Sequence, residues 1–549
     1  MKKNLSIALG LMLLATTIAA CSQKNNEPGA SPSPSPAVSA TDGQTNDSPY
    51  KITDEKITLK MGIIDLSNFR PPSKDLWMWK KYEEMTNVHI EWEEMPESNM
   101  NERKGILLAS NDRPDAFFQS KFTQEELSKY GKQGIVIPLD DLIPQAMPNL
   151  TTLMKKDPTI EKAMRSDDGK IYSLPYLESS PVYGSLRYYI NKTWLDNVGL
   201  DVPKTLDELT AALKAFKEQD ANKNGDPNDE VPVYLPSDAM DWTLERQLFG
   251  SFGLGNRGNQ AASAWIDMGD NGKVRFIPTD PAFKEIWQYL NGLWKDGLIH
   301  KDTFTEKENA KWSAAGDSDQ VGLFSWSNPG FIGEKAKNNF VGINALVGPN
   351  GDKLQSWSDP LVRGIGAFVI TKDNPYPLET LKWVDFFYGE EGSNFATIGL
   401  ENETYVMVDG KPRYIDAIMN DERGVQLGSY QYVNNVFAGS YPYLEPDVNL
   451  RAEIKGATVE EDINSDPADM DNFKLEEYWT AFAPLDKETS QLTTILTDLN
   501  AYLKESRSKF ITGQLNFEAD WDKFLQDLEK IGVSRYLEIK QQQFERYAQ

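Results

Sequence analysis

At 549 residues the chain is longer than the ~250–300 at which a single hydrophobic core stops growing, so two lobes or more are expected. A formal charge of −26 repels phosphate backbones and anionic lipid, which argues against nucleic acid as a partner. One cysteine excludes an internal disulfide, and two histidines, His89 and His300, leave little room for a zinc site or a Ser-His-Asp triad.

Met1–Ala20 reads as a secretory signal peptide: Lys2 and Lys3, an apolar run from Leu5, then small residues. That run is shorter than the ~20 residues of a membrane-spanning helix, and no later stretch is long enough. Ile18-Ala19-Ala20-Cys21 resembles the lipobox of bacterial lipoproteins. The resemblance implies cleavage before Cys21 and acylation of its sulfur and new amino group, palmitate included. The expected address is the extracytoplasmic face of the cell membrane, held by the lipid anchor only. Residues 21–50 are a Ser/Pro-rich tether, SPSPSP among them, that cannot bury a core.

The folded part opens at Lys51. Ile57–Ile64 reads as a strand, Ser73–Met85 as a helix, His89–Met95 as a strand, Asn101–Ser110 as a helix and Asp115–Phe118 as a third strand. This alternation predicts a parallel α/β sheet with ligand groups at the strand C-termini. Farther on, Asn191 and Thr205 suit helix N-caps, and Gly199 suits the residue just past a helix. Trp194, Trp287, Trp383 and Trp521 sit at helical spacing and are assigned to packing.

Four stretches carry a family resemblance: Asp168–Tyr176 (DGKIYSLPY), Tyr188–Leu209 (YYINKTWLDNVGLDVPKTLDEL), Val321–Trp326 (VGLFSW) with Gly364–Tyr405, and the C-terminal Lys509–Tyr547. Together they resemble the extracellular solute-binding lipoproteins of bacterial ABC importers, in the long subgroup that takes oligosaccharides. The resemblance implies an α/β, two-lobed periplasmic-binding-protein-like fold with a ligand cleft between the lobes. Lobe I is expected over 51–186 with 364–400 returning to it, lobe II over 187–363, and 401–549 returning to lobe II with C-terminal helices.

The sharpest chemical motif is Asp220–Glu230, DANKNGDPNDE. Oxygen side chains at Asp220, Asn222 and Asn224, followed by Gly225, reproduce the opening of an EF-hand calcium loop. Its twelfth position, which should be a bidentate Glu, is Val231. The resemblance supplies a compact version ending Asp-Glu-x-Pro, here Asp229-Glu230-Val231-Pro232, with one residue more than that pattern. The expected Ca2+ ligands are Asp220, Asn222 and Asn224 through side chains, Asp226 through its carbonyl, and Asp229 and Glu230 as carboxylates. The ion would be structural, relieving repulsion among the loop's carboxylates. The alternative is a polar turn whose charges face water.

Sugars ask for flat aromatic platforms and planar polar side chains. Where the resemblance places cleft loops, the candidates are Trp242, Trp326, Arg363, Glu401, Tyr405, Tyr183, Tyr188 and Trp357. Any of the tryptophans suits a core equally, Arg363 suits a lobe-to-lobe salt bridge, and Glu401 suits a helix cap. Three functions follow. The first is a monomeric binding protein, not an enzyme, that captures an oligosaccharide and delivers it to permease transmembrane subunits, with the ATPase elsewhere. The second is a lipoprotein glycosidase, needing two carboxylates ~5–9.5 Å apart. The third is a ligand sensor or docking lipoprotein.

Overall fold

The structure, a computed structural model, describes residues 48–180, 186–235, 240–305, 309–326, 329–333, 336–433, 441–465 and 472–548. Cys21, with the leader and the tether as far as residue 47, lies outside them. Strands β1 (Ile57–Asp65), β2 (Val88–Pro96), β3 (Ala116–Phe118) and β4 (Leu174–Leu177) come first along the chain. Next are β5 (Arg187–Asn191), β6 (Val231–Val233), the hairpin β7 (Ile266–Met268) and β8 (Val274–Phe276), β9 (Val321–Trp326) and β10 (Phe340–Ile343). Finally come β11 (Val362–Ile370) and the hairpin β12 (Tyr405–Val408) and β13 (Lys411–Tyr414).

The first sheet has the order β2-β1-β3-β11-β4. Strands β1, β2 and β3 run parallel, as the alternation of strands and helices predicts. The parallel expectation fails beyond β3: β11 lies antiparallel to both β3 and β4, so the sheet is mixed. A strand delivered from far along the chain leaves no trace in local alternation. Ile57, Leu59, Met61, Ile63 and Ile64 of β1 are all buried, as expected of a central strand covered on both faces. The helix Trp77–Thr86 links β1 to β2 and ends at Asn87 in the left-handed region, φ 62°. Its Trp79 stacks on Trp383 with ring centroids 5.6 Å apart, so the helix Pro377–Asp385 after β11 belongs to the same core.

The second sheet has the order β10-β5-β9-β6. Asn191 ends β5 and caps the next helix, its Oδ1 accepting from the Trp194 amide at 3.1 Å. Thr205 caps the helix Leu206–Glu218 within a full capping box shared with Glu208. Gly199 closes the helix between them at φ 73°. The helix Pro281–Lys295 packs Trp287 against Phe510, Trp521 and Phe524 of the C-terminal helices. The core of this second lobe therefore joins residues 188–357 to Trp479–Ile539. Trp194, Trp287, Trp383 and Trp521 are all buried in the two cores.

Both β3 and β4 oppose β11, so the C-terminal ends of β1, β3 and β4 share one edge with the N-terminal end of β11. The chain leaves for the second lobe from β4 and returns through β11. That edge of lobe I consequently faces lobe II. A third segment joins it: Leu177 pairs with Leu444, and the Glu445 amide donates to the Leu177 carbonyl at 2.8 Å. Among the described residues no helix is long and apolar enough to cross a membrane.

Candidate ligand cleft and acidic loop

The edge of lobe I that faces lobe II is built from loops at the strand ends, where a ligand of an open α/β sheet belongs. After β3, Gln119 and Lys121 both adopt the left-handed region, φ 51° and 47°, which residues with a Cβ rarely enter. Two features hold them there. The buried Lys104 ammonium donates to the carbonyls of Ser120 (3.2 Å) and Lys121 (3.4 Å) and pairs with Glu126 (2.8 Å). Gly366 of β11 lets the loop lie against the strand, because a Cβ there would sit 2.0 Å from the Phe122 carbonyl oxygen.

A cluster of buried charge sits where the crossing segments meet. Arg363, second residue of β11, donates to Glu178 at 2.7 Å and pairs with Asp359 at 2.9 Å. Glu445 accepts from Arg451. Asn259 of lobe II donates to Asp359, so the cluster ties the two lobes together. Burial, then the neighbouring Glu445, pushes the Glu178 carboxyl up. Burial works the same way on Glu445, but Arg451 and Arg363 outweigh it and hold that group low. Burial also opposes charge on Arg363, yet Asp359 and Glu178 raise it and keep it a cation.

From this cluster a ladder of tyrosines leads along the edge. Tyr176 stacks on Tyr443 at 5.4 Å, and Tyr443 meets Tyr441 at 4.7 Å. Beyond Tyr441 lies Arg70, in the loop after β1, each group perturbing the other's ionisation.

The eight expected ligand residues scatter. Arg363 is in the charge cluster. Trp357 is buried in the lobe II wall with the Arg246 guanidinium 5.6 Å from its ring. Trp326 ends β9, half-buried, with its ring 6.1 Å from Trp312. Tyr188 is a core residue whose hydroxyl donates to the Leu244 carbonyl at 2.8 Å. Glu401 is exposed and bridges to Tyr405 at the base of the β12–β13 hairpin. Tyr405 is half-buried against the small core of Ile398, Tyr414, Ile418 and Ile454. Tyr183 and the side chain of Trp242 fall outside the described residues. Arg70, Glu178, Asp359, Tyr441 and Glu445 are missing from the sequence-based set. Only YPYLE (Tyr441–Glu445), two aromatics and a carboxylate at alternating positions, hinted at them.

The Asp220–Glu230 loop winds through a series of side-chain turns. Asp220 accepts from the Gly225 amide at 3.0 Å, Asn222 from Asn224 at 3.0 Å and Asn224 from Asp226 at 2.8 Å. Gly225 takes φ 94°, which the sharp turn requires. The amides of Asn222 and Asn224 converge on Asp229 at 3.2 and 2.8 Å, and Glu230 accepts from the Ala221 amide at 2.9 Å. Among the described residues, no group of three or more His, Cys, Asp or Glu side chains is arranged to hold a metal. Two carboxylate oxygens, Asp220 Oδ1 and Glu230 Oε2, are nevertheless buried without a hydrogen-bond partner. Burial pushes the Glu230 carboxyl up. Orphaned hard oxygens at both ends of one loop are the donor type a calcium ion takes, so the residues present fit it.

Two lobes joined by crossing segments, with a polar and aromatic edge between them, define a binding protein of the two-lobed solute-binding class. The profile of the family described as "Bacterial extracellular solute-binding protein" matches residues 77–400, more than half of the chain, and the chain belongs to that family. It is 28% identical over 519 residues to the fructooligosaccharide ABC transporter substrate-binding protein FusA of Streptococcus pneumoniae, covering 90% of this chain and 91% of that one. It is 25% identical over 378 residues to lipoprotein LipO of Bacillus subtilis, covering 65% and 69%. Among solved structures, an EF-hand mutant of S. pneumoniae FusA in complex with fructo-nystose superposes with a TM-score of 0.71 at 23% identity, covering 89% of this chain and 99% of that one.

Proposed function

We propose that the protein captures an oligosaccharide between its lobes and delivers it to the membrane subunits of an ABC importer. The relation to FusA, running nearly end to end in both chains, carries this reading. The crossing segments support it, since they join the two lobes that such a ligand would bridge. Binding works without chemistry: a ligand touching both lobes favours the closed arrangement, and the crossing segments serve as the hinge. The protein acts as a monomer and as no enzyme. In this reading Cys21 carries the lipid anchor, supported by its lipobox-like setting and by a lipoprotein among the relatives. Asp220, Asn222, Asn224, Asp226, Asp229 and Glu230 hold a structural Ca2+, supported by the orphaned oxygens of Asp220 and Glu230.

The test is a thermal-shift screen against neutral and acidic oligosaccharides. A ligand at one hundred times its Kd adds ~2.7 kcal/mol of stability. A sugar-specific rise in Tm, with the sugar recovered intact, supports the reading. A cleaved sugar sinks it in favour of a glycosidase, and no shift with any sugar removes the saccharide.

A further inference from the structure

Arg70 is a guanidinium 3% exposed in a chain of charge −26, and among the described residues it makes no ion pair. Its Nη1 donates to the Pro71 carbonyl at 2.9 Å and its Nη2 to the Ser73 hydroxyl at 3.2 Å, while Nε has no partner. The nearest carboxylates serve backbone amides instead: Glu94 accepts from Ser73 at 2.7 Å and Asp65 from Ser67 at 2.8 Å. Burial costs the charge enough to bring Arg70 down to about 10, despite Glu94, Tyr441 and Asp65. Beside it, the Tyr441 hydroxyl is also buried without a partner. Two donors thus come together with no acceptor between them, an arrangement that disfavours folding unless something else uses it. Both lie on the edge of lobe I that faces lobe II, at the end of the tyrosine ladder.

We propose that Arg70 and Tyr441 form a subsite for a carboxylate of the ligand, so that the protein takes acidic, uronic-acid-containing oligosaccharides in preference to neutral ones. This rests on the oligosaccharide reading above. A carboxylate brings two acceptor oxygens and one negative charge, matching the unpartnered donors and the uncompensated cation. Arg363 is not available for that role, because Glu178 and Asp359 already neutralise it. The three carboxylates of the hinge cluster do not oppose an acidic ligand strongly. Arg363 pairs with Glu178 and Asp359, and Arg451 pairs with Glu445.

Calorimetric titration with uronic trisaccharides (trigalacturonate and trimannuronate), their methyl esters and neutral trisaccharides such as kestose tests this. The expected result is that an acidic trisaccharide binds and that its methyl ester binds roughly 10- to 100-fold more weakly, the range for a charged hydrogen bond. Arg70→Met should reproduce that loss for the acid and leave the ester unaffected. Tyr441→Phe should give a smaller loss of the same kind. Arg70→Lys, keeping the charge without the fork, should recover part of the affinity. Binding of neutral sugars only, equal losses for acid and ester, or a fall in Tm with no change in acid affinity would each overturn the subsite. In those cases Arg70 is structural or holds water, and the oligosaccharide reading survives. Absence of binding by any saccharide removes that reading and the subsite with it.

Discussion

The hinge cluster and the Asp220–Glu230 loop both crowd carboxylates into a small, partly buried space, and they neutralise them in opposite ways. At the hinge the chain supplies its own cations, Arg363 and Arg451. In the loop the acids meet amides, and two carboxylate oxygens stay without any partner. A buried acid with an internal counter-ion is a permanent part of the fold. One without it makes the fold conditional on what the solution provides.

Removing Arg363 should have the largest effect. Arg363→Met leaves Glu178 and Asp359 buried without their cation, and the cost of such a broken pair is about 3–5 kcal/mol, read from the denaturant midpoint. A loss under about 1 kcal/mol would show that the hinge does not depend on its internal cation. Next is the loop. Stripping calcium with a chelator should lower stability by ~2.7 kcal/mol relative to calcium at one hundred times its Kd. Glu230→Gln should abolish most of that difference. A Tm indifferent to both calcium and chelator would make the loop self-sufficient and erase the contrast.

The smallest effect belongs to Glu178→Gln, which swaps a buried carboxyl for an amide of similar shape and should change stability by under about 1 kcal/mol. Its pH dependence is the sharper readout. Burial raises Glu178, so above the ordinary glutamate value of ~4.3 the folded state still holds a proton the unfolded chain has released. Stability should therefore fall as pH rises through that interval. Asp359, also raised by burial, adds a slope of the same sign, while the lowered Glu445 acts only below that window. The glutamine variant should flatten part of the slope, and an unchanged slope would place the proton elsewhere.

What could be read from sequence was what neighbouring residues decide. The caps at Asn191 and Thr205 and the turn at Gly199 are local bargains between a side chain and the next few amides, and all three stand in the structure. The spacing of oxygen residues from Asp220 likewise fixed the winding of its loop. The edge between the lobes was opaque for the opposite reason. Arg70, Glu178, Asp359, Arg363, Tyr441 and Glu445 come from four separated stretches, joined through the antiparallel entry of β11 and the pairing of Leu177 with Leu444. Aromatic residues were a poor guide on their own, since Tyr188 and Trp357 serve packing as readily as recognition.

The way the cores are stitched also sets an order of assembly. Lobe I has all its core residues once Tyr443 has been delivered, whereas lobe II still lacks everything from Trp479 to Ile539. As the chain emerges from its N-terminus, lobe I can close while the helix Pro281–Lys295 and the β7–β8 hairpin wait with one face bare. A chain cut short near residue 470 would carry a finished first lobe and an apolar surface left open to aggregation.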